Sequence, residues 1–357
     1  MSALVARRRR GPWSCGVGLL VTTVLCVGTV TGAAPRLDRL DRFRELAATR
    51  LSLAQVIDAD AAAYQDAYAL LDEEIVESLN SGGVFASLAF LQERLEAFAE
   101  AWGAALLEIR QIGPLVVGAF KLGEGSGGTS VRVYGRLRDE AALLDVLDRG
   151  GRPRVFPLPS TARAPVQFLV AWEGSGSGRG TRAFRVDLVR HRGDGVRTVW
   201  TTAELIPEGL EVRNWTIRGT EVRVRYEVRY PGWTPGCESQ TETEDVYRLA
   251  ADGGTFVRAG RQTYNAWHRE LRAAVATLFA ALAAGDRATL GAAVPDARLR
   301  ARLPATLRSE PACDAPEGSG PDAVSVAASV ADGRPWTLTF RRAGPRWRLT
   351  AAEPVLQ

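Results

Sequence analysis

Histidine and cysteine are scarce in this chain, and their scarcity argues against most metal-dependent and thiol-dependent enzymes. The histidines are His191 and His268, and of the four cysteines only Cys237 and Cys313 follow the first 33 residues. No two of these residues have the short spacing of zinc ligands. A Cys–His nucleophile would need two of them to meet in the fold. We therefore predict no catalytic residue, metal ligand or cofactor, although a pair of carboxylates stays an open alternative.

One glycine string resembles a cofactor motif but stands in the wrong setting. Gly123, Gly125 and Gly128 match the spacing of the dinucleotide-binding fingerprint. That motif needs a helix directly after it, because the helix N-terminus meets the pyrophosphate. A strand-like segment, residues 130–137, follows here instead. We therefore predict a flexible hairpin loop at this position.

Lysine is represented by Lys121 alone, so arginine supplies the basic charge, and its distribution is uneven. Residues 1–33 hold four arginines, Arg7–Arg10, and no acidic residue. The chain has 45 basic and 41 acidic side chains, so removing those four arginines leaves 41 of each. A chain without net charge gives no reason to expect a polyanionic partner. We predict no nucleic-acid binding.

The first residues have the layout of a secretory signal. The arginine run is followed by an apolar stretch from about Val17 to Val30 and then by the small residues 31–34. The stretch is shorter than the ~20 apolar residues that cross a bilayer comfortably. We predict that residues 1–33 are a signal peptide cleaved after Ala33, so that the protein is periplasmic or secreted. The alternative is a retained membrane anchor over residues 15–34.

Cys237 and Cys313 are the cysteines that remain after such a cleavage. An even number of cysteines in an oxidising compartment permits a disulfide between them. The alternative is two unpaired, buried thiols.

The apolar pattern predicts helices at the start of the exported chain. Apolar residues recur every three or four positions from Leu53 to Leu79 and from Val84 to Ile109. Glycine and asparagine in Asn80–Gly83 readily adopt the left-handed conformation that ends helices. We predict an antiparallel helical hairpin within residues 34–112, with Ser52 capping its first long helix. Its apolar stripes form the core of the hairpin or, alternatively, bind a partner helix.

After Gly113 the apolar period shortens to two, which indicates strands. Strand-like segments separated by glycine-rich turns continue to residue 258, with one short helix expected at Asp139–Leu147. Residues 221–230 alternate apolar and charged side chains, as expected for an antiparallel sheet with one solvent-facing side. We predict an antiparallel β-rich domain over residues 113–262.

Residues 263–357 return to helix and end in strands. We predict a helix from Tyr264 to Gly285, two short helices at Arg287–Ala293 and Asp296–Leu303, and three strands after Pro321. Asp286 and Asp296 stand at helix starts, where capping explains them.

The helix ending Phe279–Asp286 and the closing strand that begins at Trp347 resemble the NTF2-like superfamily. In that superfamily a long helix with a Gly-Asp turn packs in the curve of a sheet. The resemblance implies an NTF2-like α+β domain with a cone-shaped pocket. It implies no particular chemistry, because the superfamily holds enzymes as well as non-catalytic envelope domains.

Residues 230–245 are the most unusual segment in composition, with two aromatic residues, two prolines, a cysteine and four carboxylates. One interpretation is a binding loop in which Trp233 stacks on a ligand while Glu238, Glu242, Glu244 and Asp245 hold a cation or a sugar. The alternative is a long surface connection that a Cys237 disulfide holds in place.

These patterns predict an α+β protein with a helical hairpin, a central antiparallel β-rich domain and a C-terminal NTF2-like domain. We expect a non-catalytic envelope protein that binds or assembles with another envelope protein or with a small ligand. It contacts the membrane only if the N-terminal segment is retained. The alternative function is a hydrolase or isomerase that acts on a small molecule in the C-terminal pocket.

The signal prediction has a direct test in the mass of the exported chain. We expect the purified protein to begin at Ala34, because small residues flank that cut. Intact-mass spectrometry of the protein expressed from the full gene measures this. A chain that keeps residues 15–34 would support the anchor instead.

Overall fold

In the computed structural model, the described residues are 38–52, 57–103, 105–159, 166–178, 180–206, 209–317 and 321–355. The predicted signal segment therefore lies outside them, as do residues 53–56. The described chain consists of helices and purely antiparallel sheets, which confirms the mixed α+β class. None of its described helices combines the length and apolar character needed to cross a membrane. The division into three domains stays a prediction.

Three helices and a four-stranded meander form the first part. They are α1 (Arg39–Ser52), α2 (Ile57–Ser81), α3 (Leu88–Trp102), β1 (Leu106–Ile112), β2 (Leu115–Lys121), β3 (Thr129–Leu137) and β4 (Glu140–Asp148). The strands pair in chain order and make sheet A. Ser52, predicted to cap the first long helix of the hairpin, is instead the last residue of α1. The glycine string at 123–128 is the β2–β3 connection, as predicted.

The third helix is shorter than its apolar spacing suggested. Ser87 caps it by accepting a hydrogen bond from the amide of Phe90, and Gly103 ends it with a φ of 77°. Leu106 and Ile109, predicted to continue the helix, belong to β1. That prediction was wrong because Ile109 suits the buried side of a strand as well as a helix stripe, whereas Leu106 is exposed in β1 and its apolar side chain made the spacing misleading.

The predicted helix at 139–147 is also wrong, because this segment is strand β4. Arg138 and Asp139 both have positive φ, at 52° and 70°. Two consecutive left-handed residues form the tight turn that favours a hairpin. Pairing along β3 then outweighs the helix propensity of the alanine and leucine residues that follow.

An eight-stranded sheet B occupies the centre of the chain. Its strands are β5 (Arg152–Pro157), β6 (Gln167–Gly176), β7 (Arg182–Arg192), β8 (Gly195–Thr201), β9 (Leu210–Arg218), β10 (Glu221–Glu227), β11 (Glu242–Leu249) and β12 (Phe256–Tyr264). The order is β12-β11-β10-β9-β7-β6-β5, and β8 pairs with β7. A short helix, α4 (Thr202–Leu205), joins β8 to β9.

Three apolar clusters define the layers around sheets A and B. Helices α1–α3 cover one face of sheet A, where Phe43, Leu71 and Phe98 pack with Phe120 and Tyr134. The other face packs on sheet B, with Val117 and Val133 in one cluster with Phe168, Val170 and Trp172. The opposite face of sheet B, called the inner face below, gathers side chains from both ends of that sheet, including Leu169, Val186, Val224, Tyr247 and Phe256.

Helices and a third sheet form the last part. They are α5 (Ala266–Ala284), α6 (Arg287–Ala293), α7 (Ala297–Arg302), β13 (Arg308–Ser309), β14 (Ala315–Pro316), β15 (Ala323–Ser329), β16 (Pro335–Ala343) and β17 (Arg346–Pro354). Asp286 and Asp296 cap α6 and α7, as predicted. Leu271, Val275 and Leu278 of α5 pack on Val326 and Phe340 of the sheet.

A buried carboxylate fixes the edge strand β12 to the inner face of sheet B. Asp245 is fully buried and accepts hydrogen bonds from Arg261 at 2.7 Å to each oxygen. Tyr226 and Tyr247 donate to it at 3.0 and 3.1 Å. Burial works against ionisation, but these hydrogen bonds outweigh it and lower the pKa of Asp245.

We therefore predict that Asp245→Asn destabilises the protein to a degree that depends on pH. Because the pKa of Asp245 is lower in the folded chain, its ionised carboxylate stabilises the fold at pH values above its unfolded pKa of about 4. This stabilisation is lost as the pH falls through the pKa of the folded chain. We expect the variant to lower the unfolding free energy by about 2 kcal/mol at pH 7. The difference from the parent protein should shrink below pH 4 in urea titrations. Asp66→Asn, at an exposed position of α2, is the control and should change little.

Candidate functional site

The connection between β10 and β11, residues 228–241, is held by a disulfide rather than by regular structure. Cys237 is bonded to Cys313, 76 residues further along, with a Cα–Cα distance of 5.2 Å. Cys237 is only 3 % exposed. The disulfide, left open by the sequence, attaches this connection (the disulfide loop) to the segment in front of β14.

Two side chains at the end of the disulfide loop organise its backbone. The amide oxygen of Gln240, a buried residue, accepts from the backbone N–H of Thr234 at 3.1 Å, and its amide nitrogen donates to the carbonyl of Cys237. The hydroxyl of Thr241 donates to the carbonyl of Asn265 and accepts from the amide of Arg269. Asn265 makes no side-chain cap for α5, so Thr241 supplies a hydrogen-bond acceptor at that helix start.

Four polar side chains meet beneath this loop, and we call Tyr230, His268, Arg272 and Asp314 the junction cluster. The hydroxyl of Tyr230 lies 2.5 Å from Nδ1 of His268. Nε2 of His268 and Nε of Arg272 lie 2.9 and 3.0 Å from the same Asp314 oxygen. Arg272 also donates to the carbonyl of Ala312 at 3.0 Å.

Three of the four side chains in the junction cluster are closed to solvent, and Tyr230 is half-buried. The side chains of His268, Arg272 and Asp314 are 3, 5 and 1 % exposed. Burial raises the pKa of Tyr230, and the hydrogen bond from the Thr241 amide only partly opposes this. A chain of tyrosine, imidazole and carboxylate can relay a proton, but its imidazole and carboxylate are shielded from a dissolved substrate. The arrangement is suited to holding the loop, α5 and residues 312–314 together.

Gly232 shows how closely the loop approaches the cluster. Its φ is +84°, and a Cβ at this position would lie 3.2 Å from Cδ of Arg272. A larger residue would be strained in the backbone and would press on the arginine stem. Glycine therefore allows the loop to lie on Arg272.

An open cleft of about 320 Å³ lies where β10 runs into the disulfide loop. It is lined by Leu205, Ile206, Gly209, Glu211, Tyr226, Glu227, Val228 and Arg229. Leu205, the last residue of α4, and Ile206 form its apolar rim, and Leu205 is 48 % exposed there. Tyr226 lies in the wall with its hydroxyl bonded to Asp245, and burial together with that carboxylate raises the pKa of Tyr226 to about 12.

Both carboxylates of the cleft are engaged by arginine. Glu227 accepts a hydrogen bond from Arg213 at 2.6 Å. Glu211 lies 3.7 Å from Arg229, whose guanidinium is also 5.6 Å from the centre of the Trp233 ring. Their charges are largely balanced, so the cleft offers a ligand both an apolar rim and exchangeable ion pairs.

The structure separates the residues of the predicted binding loop. Trp233 and Glu238 lie in the disulfide loop, and Glu238 makes no ion pair with any described residue. Glu242 and Glu244 lie two positions apart in β11, bound to Arg225 and Arg223. Any cation would have to compete with those arginines, and the described chain contains no group of three His, Cys, Asp or Glu side chains arranged to hold a metal.

Sequence reasoning missed the junction cluster and the cleft. His268 was considered only as a zinc ligand or as a partner for a cysteine nucleophile, and both cysteines are instead joined to each other. Asp314 follows Cys313 directly, so a disulfide assignment would have directed attention to it. No local signal indicates that Glu211 and Glu227 share a cleft.

Comparisons with known proteins assign no family. No family model matches the chain, and no curated protein is similar to it. A similar solved structure is a Bacteroides fragilis protein provisionally named a 6-phosphogluconolactonase, with 11 % identity, covering 68 % of this chain and 67 % of that one. Its TM-score of 0.17 is too low to indicate a shared fold, and no argument rests on it.

The disulfide should contribute strongly to stability. Closing a loop of 76 residues is worth about 4 kcal/mol in the chain-entropy model. We expect Cys237→Ser with Cys313→Ser to lower the unfolding free energy by about 2–4 kcal/mol in urea titrations. Dithiothreitol should destabilise the parent protein to the same level and leave the double variant unchanged. Equal stability of all samples would show that the loop is held without the bond.

Proposed function

We propose that this chain is an exported protein that acts outside the cytoplasm by binding or assembly, without catalysis. The observation that carries the proposal is the disulfide-held loop beside an open cleft. A disulfide persists in an oxidising compartment, which agrees with the signal-like start of the sequence. The loop forms one wall of the cleft, because Val228 and Arg229 are its first two residues.

The chemistry of the cleft favours binding. Its rim is apolar at Leu205, Ile206 and Val228, and its two carboxylates are paired with arginine. A general acid or base needs an accessible group with a shifted pKa, whereas the shifted phenol of Tyr226 donates to a buried carboxylate. An amphipathic small ligand or an exposed side chain of an envelope partner fits such a surface.

The alternative, an enzyme with an NTF2-like pocket, has less support. We keep the NTF2-like assignment of residues 264–357 as a proposal. The space between α5 and the last sheet is filled by its own side chains, among them Trp267, Leu271, Val324 and Leu338. An open depression of about 280 Å³ beside α5 includes Glu270, which is bound to Arg342 at 2.9 Å.

A fluorescent probe tests the cleft. We expect 8-anilinonaphthalene-1-sulfonate to bind with saturation at one molecule per chain. Its aromatic rings can pack on the apolar rim, and its sulfonate can pair with Arg229. Leu205→Asp places a charge on the rim and should weaken binding about tenfold. Fluorescence titration measures both constants.

Leu137→Asp is the matched control. Leu137 is 45 % exposed, close to the 48 % of Leu205, but lies at the β3–β4 turn. The control should bind the probe like the parent protein. An equal loss in both variants, or none in Leu205→Asp, would contradict binding in the cleft.

A further inference from the structure

The two edges of sheet A are each occupied by a side-chain amide. Gln92 of α3 donates to the carbonyl of Leu107 and accepts from the amide of Ile109, so it bonds to the open side of β1. Asn80 of α2 bonds in the same way to both backbone groups of Ala141 in β4. Each amide takes the place of a neighbouring strand, which protects an edge against further pairing.

Edge strand β12 of sheet B has no such cover among the described residues. It is nine residues long and pairs with β11 on one side only. No described side chain or backbone group bonds to its outer edge. Most of its residues are exposed, and Val257 is 49 % exposed. An uncovered edge of this length presents a row of backbone donors and acceptors to an incoming strand.

A bulge in β12 brings two arginines to the same face of the sheet. Arg261 pairs in register with Asp245 and Arg258 with Tyr247, while Ala259 is the extra residue of the bulge. Side chains three positions apart would face opposite sides of a regular strand. Here both guanidinium groups lie on the inner-face side, at the rim of the sheet. Asp245 compensates one of them, and Arg258 makes no ion pair with the described residues.

The positive charge on this face indicates which kind of strand can pair with β12. Two copies of β12 pairing with each other would bring Arg258 and Arg261 against the same arginines of the second copy, and like charges across strands are unfavourable. A strand with carboxylates on that face would meet them with opposite charge. Val257 lies on the other face and suits an apolar side chain at the alternate positions.

We propose that β12 is a docking edge for an extended segment of a partner protein, with acidic residues at alternate positions. The segment adds to sheet B as a further strand, its backbone bonds to β12 and its carboxylates face Arg258 and Arg261. The proposal goes beyond the cleft and does not require the cleft to be occupied.

A labelled peptide tests the docking edge. The probe is a ten-residue fluorescein peptide in which glutamate alternates with threonine and valine, titrated with the full protein and followed by anisotropy. We expect saturable binding that weakens with salt, because exposed charges are screened, and slower hydrogen exchange in residues 256–264. A peptide with lysine in place of glutamate, and one with a central proline that removes a backbone donor, should each bind at least about tenfold more weakly.

Variants separate this surface from the rest of the molecule. Arg258→Glu should weaken the glutamate peptide about tenfold and improve binding of the lysine peptide. Arg287→Glu, at an exposed position in α6 without an ion pair to described residues, should change neither. Thermal unfolding measures whether both variants are folded. Arg258→Gln removes the charge without reversing it, so we expect its effect on peptide affinity to lie between those of the parent protein and Arg258→Glu.

Two results would overturn the proposal. One is the absence of peptide binding to folded protein at millimolar concentration. The other is binding that neither proline nor Arg258→Glu weakens. Leu205→Asp should leave the peptide affinity unchanged, so failure of the docking edge and failure of the cleft give different patterns.

Discussion

Asp314 and the disulfide beside it hold together three segments that are distant in sequence. The carboxylate lies against His268 and Arg272, and the hydroxyl of Tyr230 approaches the other imidazole nitrogen. A buried ionic group is costly unless its partners are all in place. The disulfide loop, the start of α5 and residues 312–314 are therefore fixed together or not at all. The position of the cleft wall at Val228 and Arg229 follows from this constraint.

A similar arrangement recurs at three further carboxylates: Asp72 of α2, which reaches sheet A, and the buried Asp187 and Asp245 of sheet B. The carboxylate of Asp72 accepts hydrogen bonds from two nitrogens of Arg132 and from the hydroxyl of Tyr134. The carboxylate of Asp187 accepts hydrogen bonds from Arg185 and from the indole N–H of Trp172. The carboxylate of Asp245 accepts hydrogen bonds from Arg261 and from two tyrosines. Arginine serves Asp72 and Asp245 better than lysine would, because its planar group donates in parallel to both carboxylate oxygens. Lys121 is the one lysine of the chain.

Prediction from sequence succeeded where the signal is local. Helices α5, α6 and α7 were recognised because Gly285, Asp286 and Asp296 end or begin them through bonds to nearby residues. It failed where pairing with a neighbouring strand decides the local structure. The spacing of Leu106 and Ile109 fits a helix, but in the structure they pair with β2. The composition of β4 favours a helix, but the Arg138–Asp139 turn places it beside β3, with which it pairs. Strand β5 contains Pro153 and Pro157, which are unfavourable in a central strand, but its position at the edge of sheet B tolerates them.

The cleft and the docking edge share one anchor. Tyr226 lines the cleft, Arg261 lies in β12, and both donate to Asp245. A change at Asp245 removes a bond from each surface at once, so it reports on the stability of the sheet and not on either binding event. Residues at the rims differ in this respect. Leu205 has no hydrogen bond to lose, and Arg258 makes no ion pair with the described chain, so the effect of each is confined to the surface on which it lies. The two proposed activities are therefore separable by experiment even though one carboxylate supports both.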